Sequence, residues 1–397
     1  MAAMPSNRWI EVDTDALVHN LEAVRSLLKE NTRLIAVLKA NAYGLGLVPT
    51  AQVLAGNGVD LFAVTFPEEA FALREGGIKA DILVFAPAGE AEIQRAVEHG
   101  LTLTVASFRD YEIASRAAHS VGKKLKVHVK IDTGLGRFGV WPDEALPLAQ
   151  AIQQDAGLEL EGVYTHFAEA GARSSRYTEL QFARLQGAVE ALARNGMRPP
   201  LIHCCNSAAV LRFPEMHMDA VRVGTLLGGQ YPAGRVPHKL RLRDPYCFKA
   251  RVTEVRDMPA GSYLGYYRTY RTKSKTKIAV VPVGYVHGLG MEALSRPGSW
   301  VDLLKIVAKI VGSYLNVPRF TAMVKTEHGE YPIRGKVFMQ FCLVELPSLC
   351  PIEPGAVVEV PVKRTLASGD VCRIYMAGGR PVKREWAGAQ VQVTGEG

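Results

Sequence analysis

Short apolar runs alternate with longer amphipathic stretches from Thr32 to about Gly229. The runs are rich in Val, Ile and Leu and apolar on both faces, as the strands of a buried parallel sheet are. The stretches between them, such as "EAEIQRAVEHG", have the periodicity of helices of roughly ten to twenty residues. The pattern predicts eight strands, at residues 34–38, 61–65, 82–86, 101–105, 125–131, 160–165, 201–205 and 220–223.

The helical stretches complete the prediction of the fold class. Several end in Gly, the residue favoured just beyond a helix C-terminus, and the first helix is predicted at residues 15–28. Eight strands, each followed by a helix or a long connection, predict an α/β fold, a (β/α)8 barrel of the TIM type. An open doubly wound sheet is the alternative. Eight units, and the lack of a G-x-G-x-x-G after the first strand, count against it.

Beyond about His238 the pattern changes to alternating β-type runs interrupted by Pro and Gly, for example "KTKIAVVPVGY" and "GAVVEVPV". This predicts a second, mostly β domain. "RWIEVD" at Arg8–Asp13 is also typical of a strand and has no partner nearby in the sequence. We therefore predict an N-terminal strand within residues 1–13 that joins the β domain, a barrel at 14–238 and a C-terminal β domain at 239–397.

The composition is that of an ordinary globular protein. The chain has 397 residues, of which 48% are apolar and 22% charged, enough for two domains. No apolar run has membrane-spanning length, and "MAAMPSNRWIEVD" lacks the apolar core of a signal peptide, so we expect a cytoplasmic protein that does not bind membranes. The six cysteines form no CxxC pair and no zinc spacing, so we expect reduced thiols and no metal site.

The net charge of +8 raises the question of nucleic acid. The basic residues are spread along the chain, and the densest patch, "YRTYRTKSKTK" at 267–277, has no zinc-finger or RRM signature. We therefore expect no nucleic-acid partner. The charge is interpreted as a solvated surface plus a few cationic residues that serve an anionic ligand.

Polar side chains stand where the predicted strands end. In a (β/α)8 barrel the chemistry collects at the C-terminal ends of the strands. Each of these residues alone would be interpreted as a solvated or structural side chain, but together they indicate one site at the barrel mouth. They are Lys39 after the first strand, "KIDTGLGRFG" at 130–139 after the fifth, His166 after the sixth, Asn206 and Ser207 after the seventh, and Arg222 in the eighth.

Lys39 is the candidate nucleophile. Desolvation and neighbouring cations lower the pKa of a lysine in an apolar mouth, and such a lysine forms imines readily. Imine-forming lysines in barrels belong mainly to aldolases and to pyridoxal-phosphate (PLP) enzymes. The second class also needs a phosphate site, which Tyr43, Ser207 and the backbone amides of "GTLLGG" at 224–229 could supply.

At this point the residues resemble a known family. "AVLKANAYGLG" is similar to the PLP-lysine motif of alanine racemases. The likeness continues in order through "KIDTGLGRFGV", "VYTHFAEA", "HCCNSAA", "MDAVRVG", "SYLGYYRTYRT", "VVPVGYVHG" and "GKVFMQFCLVEL", roughly residues 8–346. The resemblance implies a PLP-binding barrel, a C-terminal β domain, an amino-acid substrate and a head-to-tail homodimer with active sites shared between subunits.

The resemblance also implies residue roles. Lys39 would hold PLP and act as one acid/base, and Tyr270 from the other subunit would be the opposite base. His166 resembles the histidine that links this tyrosine to an arginine, and Arg222 resembles that arginine, which faces the pyridine nitrogen. The family spacing of two tyrosines four residues apart, with Thr before the second, selects Tyr270 among the four tyrosines of "YLGYYRTY".

The remaining roles concern the substrate and the phosphate. Arg137 matches the arginine near the substrate carboxylate, and Lys130 matches a lysine that is often carbamylated to orient that arginine. Met339 is a further expected substrate contact. The expected cofactor contacts, beyond the residues above, are Tyr43, Asn206, Ser207, Gly224, Thr225 and, on a poorly matching segment, Tyr375.

Three places depart from the family pattern. "GYVHG" stands where Gly-Tyr-Ala-Asp-Gly is usual, so His287 replaces an acid. "FMQF" stands where Cys-Met-Asp-Gln is usual, giving Phe338, Met339 and Gln340, and Tyr267 replaces a glycine. The two lost acids make this region less negative.

The predicted function is interconversion of L- and D-alanine by two bases. Racemisation removes an α-proton on one face and returns it on the other, which Lys39 and Tyr270 on opposite faces would achieve. The alternative is a racemase for another amino acid, serine-like or with a longer polar side chain, in a specialised biosynthetic pathway. A fold-related PLP decarboxylase is less favoured because both bases are present and the decarboxylases' cysteine-bearing loop is not evident. A PLP carrier is disfavoured by the second domain and by Tyr270.

Overall fold

The structure is a computed structural model that describes residues 7–237, 240–292, 296–315 and 317–386, and the backbone of 389–391. It forms two compact units. The barrel unit is Thr14–Pro245, and the β unit consists of the described residues of Met1–Asp13 and Tyr246–Gly397. The domain boundary expected at 238 and 239, and the ends of the expected outer segments at 1–6 and 392–397, lie outside the described residues.

Eight parallel strands close the barrel, which confirms the predicted fold class. Their bounds agree with the predicted runs to within two residues at each end. The last strand pairs with the first, with Arg33 opposite Ala220 and Ala36 opposite Val223. The barrel strands are β2 Arg33–Val37, β3 Leu61–Val64, β4 Asp81–Val84, β5 Thr102–Val105, β6 Leu125–Lys130, β7 Leu158–Tyr164, β8 Leu201–His203 and β9 Ala220–Val223.

Helices connect the barrel strands. They are α1 Thr14–Arg25, α2 Lys39–Tyr43, α3 Leu47–Gly56, α4 Pro67–Glu75, α5 Glu90–Glu98, α6 Phe108–Val121, α7 Ala145–Gln154, α8 Arg176–Arg194 and α9 Ser207–Arg212. Both ends of α6 are capped. Ser107, just before the helix, accepts a hydrogen bond from the Asp110 amide through its side chain, and Gly122, just after it, has the left-handed conformation. α1 ends before the predicted residue 28 because the amides of Leu27 and Leu28 bond three residues back, in a tighter turn.

The strands of the β unit are β1 Arg8–Asp13, β10 Tyr246–Arg251, β11 Glu254–Met258, β12 Tyr263–Leu264, β13 Tyr270–Arg271, β14 Thr276–Val281, β15 Met323–Thr326, β16 Gly329–Arg334, β17 Cys342–Leu346, β18 Val357–Glu359, β19 Arg373–Ala377, β20 Arg380–Trp386 and β21 Ala389–Val391. Eleven of them form one sheet in the order β11-β14-β17-β16-β15-β18-β10-β1-β19-β20-β21, and β12 and β13 form a separate pair. The N-terminal strand β1 lies inside this sheet, antiparallel to β10 and parallel to β19.

The β unit also contains a helix that the sequence analysis did not predict, α10 at Trp300–Tyr314. The Ser299 side chain caps it by accepting a hydrogen bond from the Asp302 amide. Most of its apolar side chains are exposed, and Gly312 is the one buried residue within it. Among the described helices of the chain, none combines the length and the apolar character needed to cross a membrane.

Candidate active site

A cavity of about 850 Å³ opens at the C-terminal ends of the barrel strands. Its described lining comes from the barrel unit alone, and the structure brings nine of the predicted site residues together there. They are Lys39, Tyr43, Arg137, His166, Asn206, Ser207, Arg222, Gly224 and Thr225.

Lys39 follows β2 and begins α2, which is a single turn of left-handed helix. The four residues after the lysine, from Ala40 to Tyr43, have φ between +52° and +55°. This region is strained for residues with a Cβ, and such strain is stored at functional sites. Lys39 therefore lies directly before a strained left-handed turn at the mouth of the barrel.

A carboxylate holds this turn in place. Glu69 Oε1 accepts a hydrogen bond of 2.7 Å from the Ala40 amide, and Oε2 accepts bonds of 2.9 Å from Thr65 and 3.1 Å from Phe66. The sequence analysis missed Glu69. The available signal was its place three residues after Phe66, where a glutamate commonly caps a helix N-terminus.

The surroundings of Lys39 lower its pKa. Partial burial is the largest cause, and the positive charge of Arg137 adds to it, whereas Glu69 acts in the opposite direction. A lowered pKa increases the neutral fraction of the amine, which is the nucleophilic form. The cavity therefore contains an activated lysine, as a nucleophilic or acid/base role requires.

Beside Lys39, hydroxyl and amide groups converge on a small cradle. A Cβ at Gly224 would collide with the Tyr43 hydroxyl, so only glycine leaves this space open. The Gly224 amide donates to Ser207 Oγ at 3.3 Å. Thr225 Oγ1 is buried and has no hydrogen-bond partner among the described residues. A buried hydroxyl of this kind needs a polar partner, and phosphate oxygens fit the set of donors.

Arg222 is buried in the floor of the cavity and is fixed by many hydrogen bonds. Its Nη1 donates to His203 Nδ1 at 2.6 Å and to the His203 carbonyl at 3.0 Å. Its Nη2 donates to the carbonyls of Thr165 at 2.7 Å and Cys204 at 2.9 Å. The guanidinium is therefore held in one orientation by backbone atoms of neighbouring strands.

His166 is the second partner of Arg222. Arg222 Nη2 lies 3.3 Å from His166 Nδ1, and because a guanidinium only donates, this nitrogen accepts. Burial lowers the pKa of His166 well below its ordinary value, and the charges of Arg222 and Arg137 lower it further. The imidazole is therefore neutral near pH 7 and carries its proton on Nε2.

Lys130 and Arg137 were predicted to act together on the substrate. Arg137 lines the cavity, whereas Lys130 is buried beside it, with Nζ donating to the Ile131 carbonyl at 2.9 Å. Burial lowers the pKa of Lys130 to about 7, and Arg222 contributes in the same direction. The loop before Arg137 is held by Asp132, another residue that the sequence analysis missed, whose carboxylate accepts from the amides of residues 134, 135 and 136 at 2.8 Å each.

Three predicted site residues belong to the β unit and do not line the cavity. Tyr270 lies in β13, and its hydroxyl donates to Glu345 Oε2 at 2.7 Å. Burial, reinforced by this hydrogen bond, raises the pKa of Tyr270 to about 12. Met339 is exposed in a loop. Tyr375 is buried in β19 and donates to Glu385 at 2.9 Å, and its contact with the cofactor stays a prediction.

The three departures from the family pattern lie together in the β unit. The amides of Tyr285 and Val286 donate to the carbonyls of Phe338 and Met339 at 3.0 and 3.1 Å, so "GYVHG" and "FMQF" are neighbouring loops. The Tyr266 ring, next to Tyr267, lies 5.1 Å from the Phe338 ring.

His287 and Tyr267 have different surroundings within this group. His287 is buried, and its Nδ1 accepts a hydrogen bond of 3.0 Å from the Gly284 amide. Tyr267 has φ +60°, which explains why glycine suits its position. His287 therefore has a local structural role, whereas Tyr267 is exposed and Phe338 is half-buried.

The fold and the site are those of a (β/α)8 barrel protein with a lysine of lowered pKa in the cavity at its mouth. The family profile described as "Alanine racemase, N-terminal domain" matches residues 12–232, and "Alanine racemase, C-terminal domain" matches residues 246–370. The chain belongs to the alanine racemase family, as its motifs indicated.

Named relatives agree over most of the chain. Alanine racemase 1 of Oceanobacillus iheyensis is 42% identical over 281 residues, which are 70% of this chain and 75% of that protein. The alanine racemase of Methanococcus maripaludis is 33% identical over 89% of this chain and 88% of its own length. The solved alanine racemase of Clostridium difficile has a TM-score of 0.86 at 27% identity, covering 98% of this chain and 100% of that one.

Proposed function

We propose that this protein interconverts L- and D-alanine with PLP bound at Lys39. The observation that carries the proposal is the single cavity in which the activated lysine, the fixed Arg222 and the hydroxyl-lined cradle meet. Relatives that are named alanine racemases over most of the chain support alanine as the substrate.

The residues present fit the cofactor. The hydroxyls of Tyr43, Ser207 and Thr225 and the amide of Gly224 would hold its phosphate, and the unpartnered Thr225 Oγ1 supports this assignment. Asn206 would contribute by holding the turn, since its Oδ1 accepts from two backbone amides at the start of α9. Bound PLP would act as an electron sink that makes the α-proton of an amino acid removable.

Arg222 would face the pyridine nitrogen of the cofactor. A guanidinium remains protonated and can only donate a hydrogen bond. Unlike a carboxylate, it would therefore not favour protonation of the pyridine nitrogen. The three backbone carbonyls on Arg222 would keep it in this orientation.

Two groups would move the α-proton. Lys39 Nζ would take or return it on one face of the substrate, and Tyr270 of the partner subunit would do so on the other, in a head-to-tail homodimer. His166 Nε2–H would donate toward this tyrosine oxygen and connect it to Arg222. In the chain alone the Tyr270 hydroxyl donates to Glu345, so proton transfer would require it to turn from that carboxylate to the substrate.

Arg137 would bind the substrate carboxylate, with Met339 of the partner subunit as a further contact. Lys130 would orient Arg137 as a carbamate. A pKa of about 7 leaves a large neutral fraction of the Lys130 amine, and only a neutral amine adds carbon dioxide. Mass spectrometry of the intact protein, with and without added bicarbonate, should find the mass of one carbon dioxide, which Lys130→Met should not carry.

Deuterium exchange tests the function. The PLP-loaded protein in heavy water is incubated with L- and D-alanine and with a panel that includes serine and longer polar amino acids. We expect α-deuteration and racemisation of alanine above the panel. Tyr270→Phe should suppress exchange from one enantiomer far more than from the other, and symmetric loss, or no loss, would refute the two-base assignment. Preference for another amino acid would instead point to the departures from the family pattern around Phe338.

A further inference from the structure

A chain of hydrogen bonds runs from Arg222 through the barrel interior to Glu161. Arg222 Nη1 lies 2.6 Å from His203 Nδ1, and His203 Nε2 lies 3.0 Å from His128 Nδ1. His128 Nε2 then lies 3.2 Å from Glu161 Oε2. Both histidines are fully buried, Glu161 is 8% exposed, and none of the three lines the cavity. Their hydrogen bonds reach the site through Arg222, and the His203 ring also stacks on Tyr164, which lines the cavity.

The backbone of β6 and β7 makes room for this chain. The pairing shifts register at Val127 and His128, so that Glu161 has no residue opposite it on β6. A bulge of this kind re-aims a side chain. A Cβ on the next residue, Gly162, would lie 2.6 Å from the His128 ring, so glycine leaves the space that the imidazole fills.

Arg222 and Glu161, at the two ends of this series of hydrogen bonds, fix the position of each histidine proton. A guanidinium only donates, so His203 Nδ1 accepts from Arg222 and His203 carries its proton on Nε2. That proton is donated to His128 Nδ1, which leaves the proton of His128 on Nε2, facing Glu161. The carboxylate accepts it. With both histidines neutral, this is the one arrangement in which every contact pairs a donor with an acceptor.

The charges of the three groups agree with this arrangement. Burial lowers the pKa of His128, and that of His203 well below its ordinary value, so both imidazoles are neutral. Burial by itself would raise the pKa of Glu161, but hydrogen bonds from His128 and Lys126 outweigh it and lower the pKa to about 2. Lys126 Nζ lies 2.8 Å from Oε1, and Thr102 Oγ1 donates to Oε2 at 3.0 Å.

We infer that Glu161, His128 and His203 are positioning residues for Arg222, and that the Glu161 carboxylate, as the acceptor at one end, keeps every hydrogen bond between them in the direction that the Arg222 donor requires. The consequence for catalysis rests on the proposed function, in which Arg222 faces the cofactor. The proton arrangement itself does not depend on that function.

Glu161→Gln should reverse the direction of the hydrogen bonds between residue 161, His128 and His203. Lys126 donates to Oε1, so the amide oxygen of the glutamine belongs there and its NH2 group faces His128. His128 would then carry its proton on Nδ1, and His203 would be driven to carry its own on Nδ1, facing the Arg222 N–H. Two donors would meet at a contact that is now 2.6 Å long, and Arg222 would shift. Thr102→Val is the matched control, because it removes a hydrogen bond to the same oxygen and keeps the carboxylate.

Neutron diffraction from crystals of the perdeuterated, PLP-loaded protein locates the protons directly and needs no variant. We expect deuterons on Nε2 of both His128 and His203. A deuteron on Nδ1 of either ring would overturn the inference, whether or not the protein racemises alanine. If the protons are as expected but no amino acid is racemised, the proposed function fails and the proton arrangement stands.

The variants test the consequence. Glu161→Gln should lower kcat roughly 10- to 100-fold, as loss of outer partners does at comparable sites. It should also weaken PLP binding and shift the absorbance of the bound cofactor, whereas Thr102→Val should change none of these by more than about twofold. Equal effects of the two variants at equal thermal stability would show that Glu161 does not act through the proton arrangement, and would overturn the assignment.

Discussion

At the scale of single residues, two carboxylates organise the cavity without lining it. Glu69 accepts hydrogen bonds from the Ala40 amide in α2 and from the Thr65 amide after β3. Asp132 accepts hydrogen bonds from three successive amides of the loop that carries Arg137. Neither reaches the cavity. Because each acts on backbone N–H groups, which every residue except proline has, no partner side chain in the sequence could have indicated their roles.

The buried amine of Lys130 should make stability depend on pH. Its pKa is about 7 in the folded chain, against an ordinary value of 10.5. Between these values the unfolded chain binds a proton that the folded chain does not, so the free energy of unfolding should rise with pH across this window. Lys130→Met should flatten that rise, measured as Tm from pH 7 to about 10 in buffer free of carbon dioxide.

Lys124→Met is the control for the loss of one positive charge, because this lysine is exposed. It should keep the wild-type dependence of Tm on pH. If Lys130→Met keeps that dependence too, the amine of Lys130 is protonated in the folded chain, and the argument for a reactive neutral amine fails with it.

At the scale of elements, the left-handed turn α2 offers a test at Ala40. This residue has φ +53° and its side chain is exposed, so a substitution there changes backbone preference more than packing. A β-branched side chain is least compatible with this region, and Ala40→Val should cost about 1–2 kcal/mol or more. Ala40→Gly should be neutral or slightly stabilising, because glycine adopts positive φ without strain.

Thermal unfolding and PLP affinity measure this difference. The Val variant should lose both stability and affinity, since the same turn carries Lys39 and Tyr43, and the Gly variant should keep both. Equal Tm values for the two variants would mean that the backbone of α2 is not left-handed in solution.

Helix α10 tests a different aspect of packing. A Cβ at Gly312 would collide with the Phe320 ring, so Gly312→Leu should destabilise by about 1–3 kcal/mol. Leu304 is 66% exposed, and Leu304→Gln should change stability by less than about 0.5 kcal/mol. Tm and elution volume check both variants. A large loss at Leu304, or a change in its elution, would show that this exposed residue is covered in solution.

The elements differ in how far the sequence predicted them. The barrel strands are short, apolar on both faces and bounded by glycines, and these local signals predicted all eight to within two residues. α10 was missed although Asp302, Lys305 and Lys309 recur at helical spacing, because the neighbouring segments of the sequence have the alternating pattern of strands. The handedness of α2 could not be predicted, since an "ANAY" segment adopts positive φ only where Glu69 and the loop after it hold the backbone.

At the scale of the whole molecule, the same contrast separates the two units. In the barrel unit each strand pairs with its neighbour in sequence, so the order of strands follows from the alternation alone. In the β unit, β1 pairs with β10 and β19, more than 230 residues away, and such pairing depends on contacts that no local pattern encodes. The cavity residues were predictable because the barrel rule assigns them to strand ends. The proton arrangement from Arg222 to Glu161 was not, because it depends on a register shift.

Sharing of the active site between two subunits is the last property to test, and it belongs to the proposed homodimer. Lys39→Ala and Tyr270→Phe should each be nearly inactive as pure dimers. A dimer of one chain of each kind would pair the intact Lys39 of one subunit with the intact Tyr270 of the other, giving one complete site and one doubly damaged site. If the chains mix at random, about half of the dimers are mixed, and about one quarter of wild-type activity should return.

The control is the wild-type chain mixed in equal amounts with a chain that carries both substitutions. If the two subunits share each site, both sites of a mixed dimer lack one base, and only the pure wild-type dimers are active. About one quarter of the activity of an all-wild-type sample should then remain. Sites confined to one chain would leave about one half, and under that arrangement the two single variants would recover nothing on mixing. Racemisation rates of purified, refolded mixtures at equal PLP loading therefore distinguish sites shared between subunits from sites within one subunit. A result of one half in the control together with no recovery in the test would assign the base opposite Lys39 to a residue of the same chain.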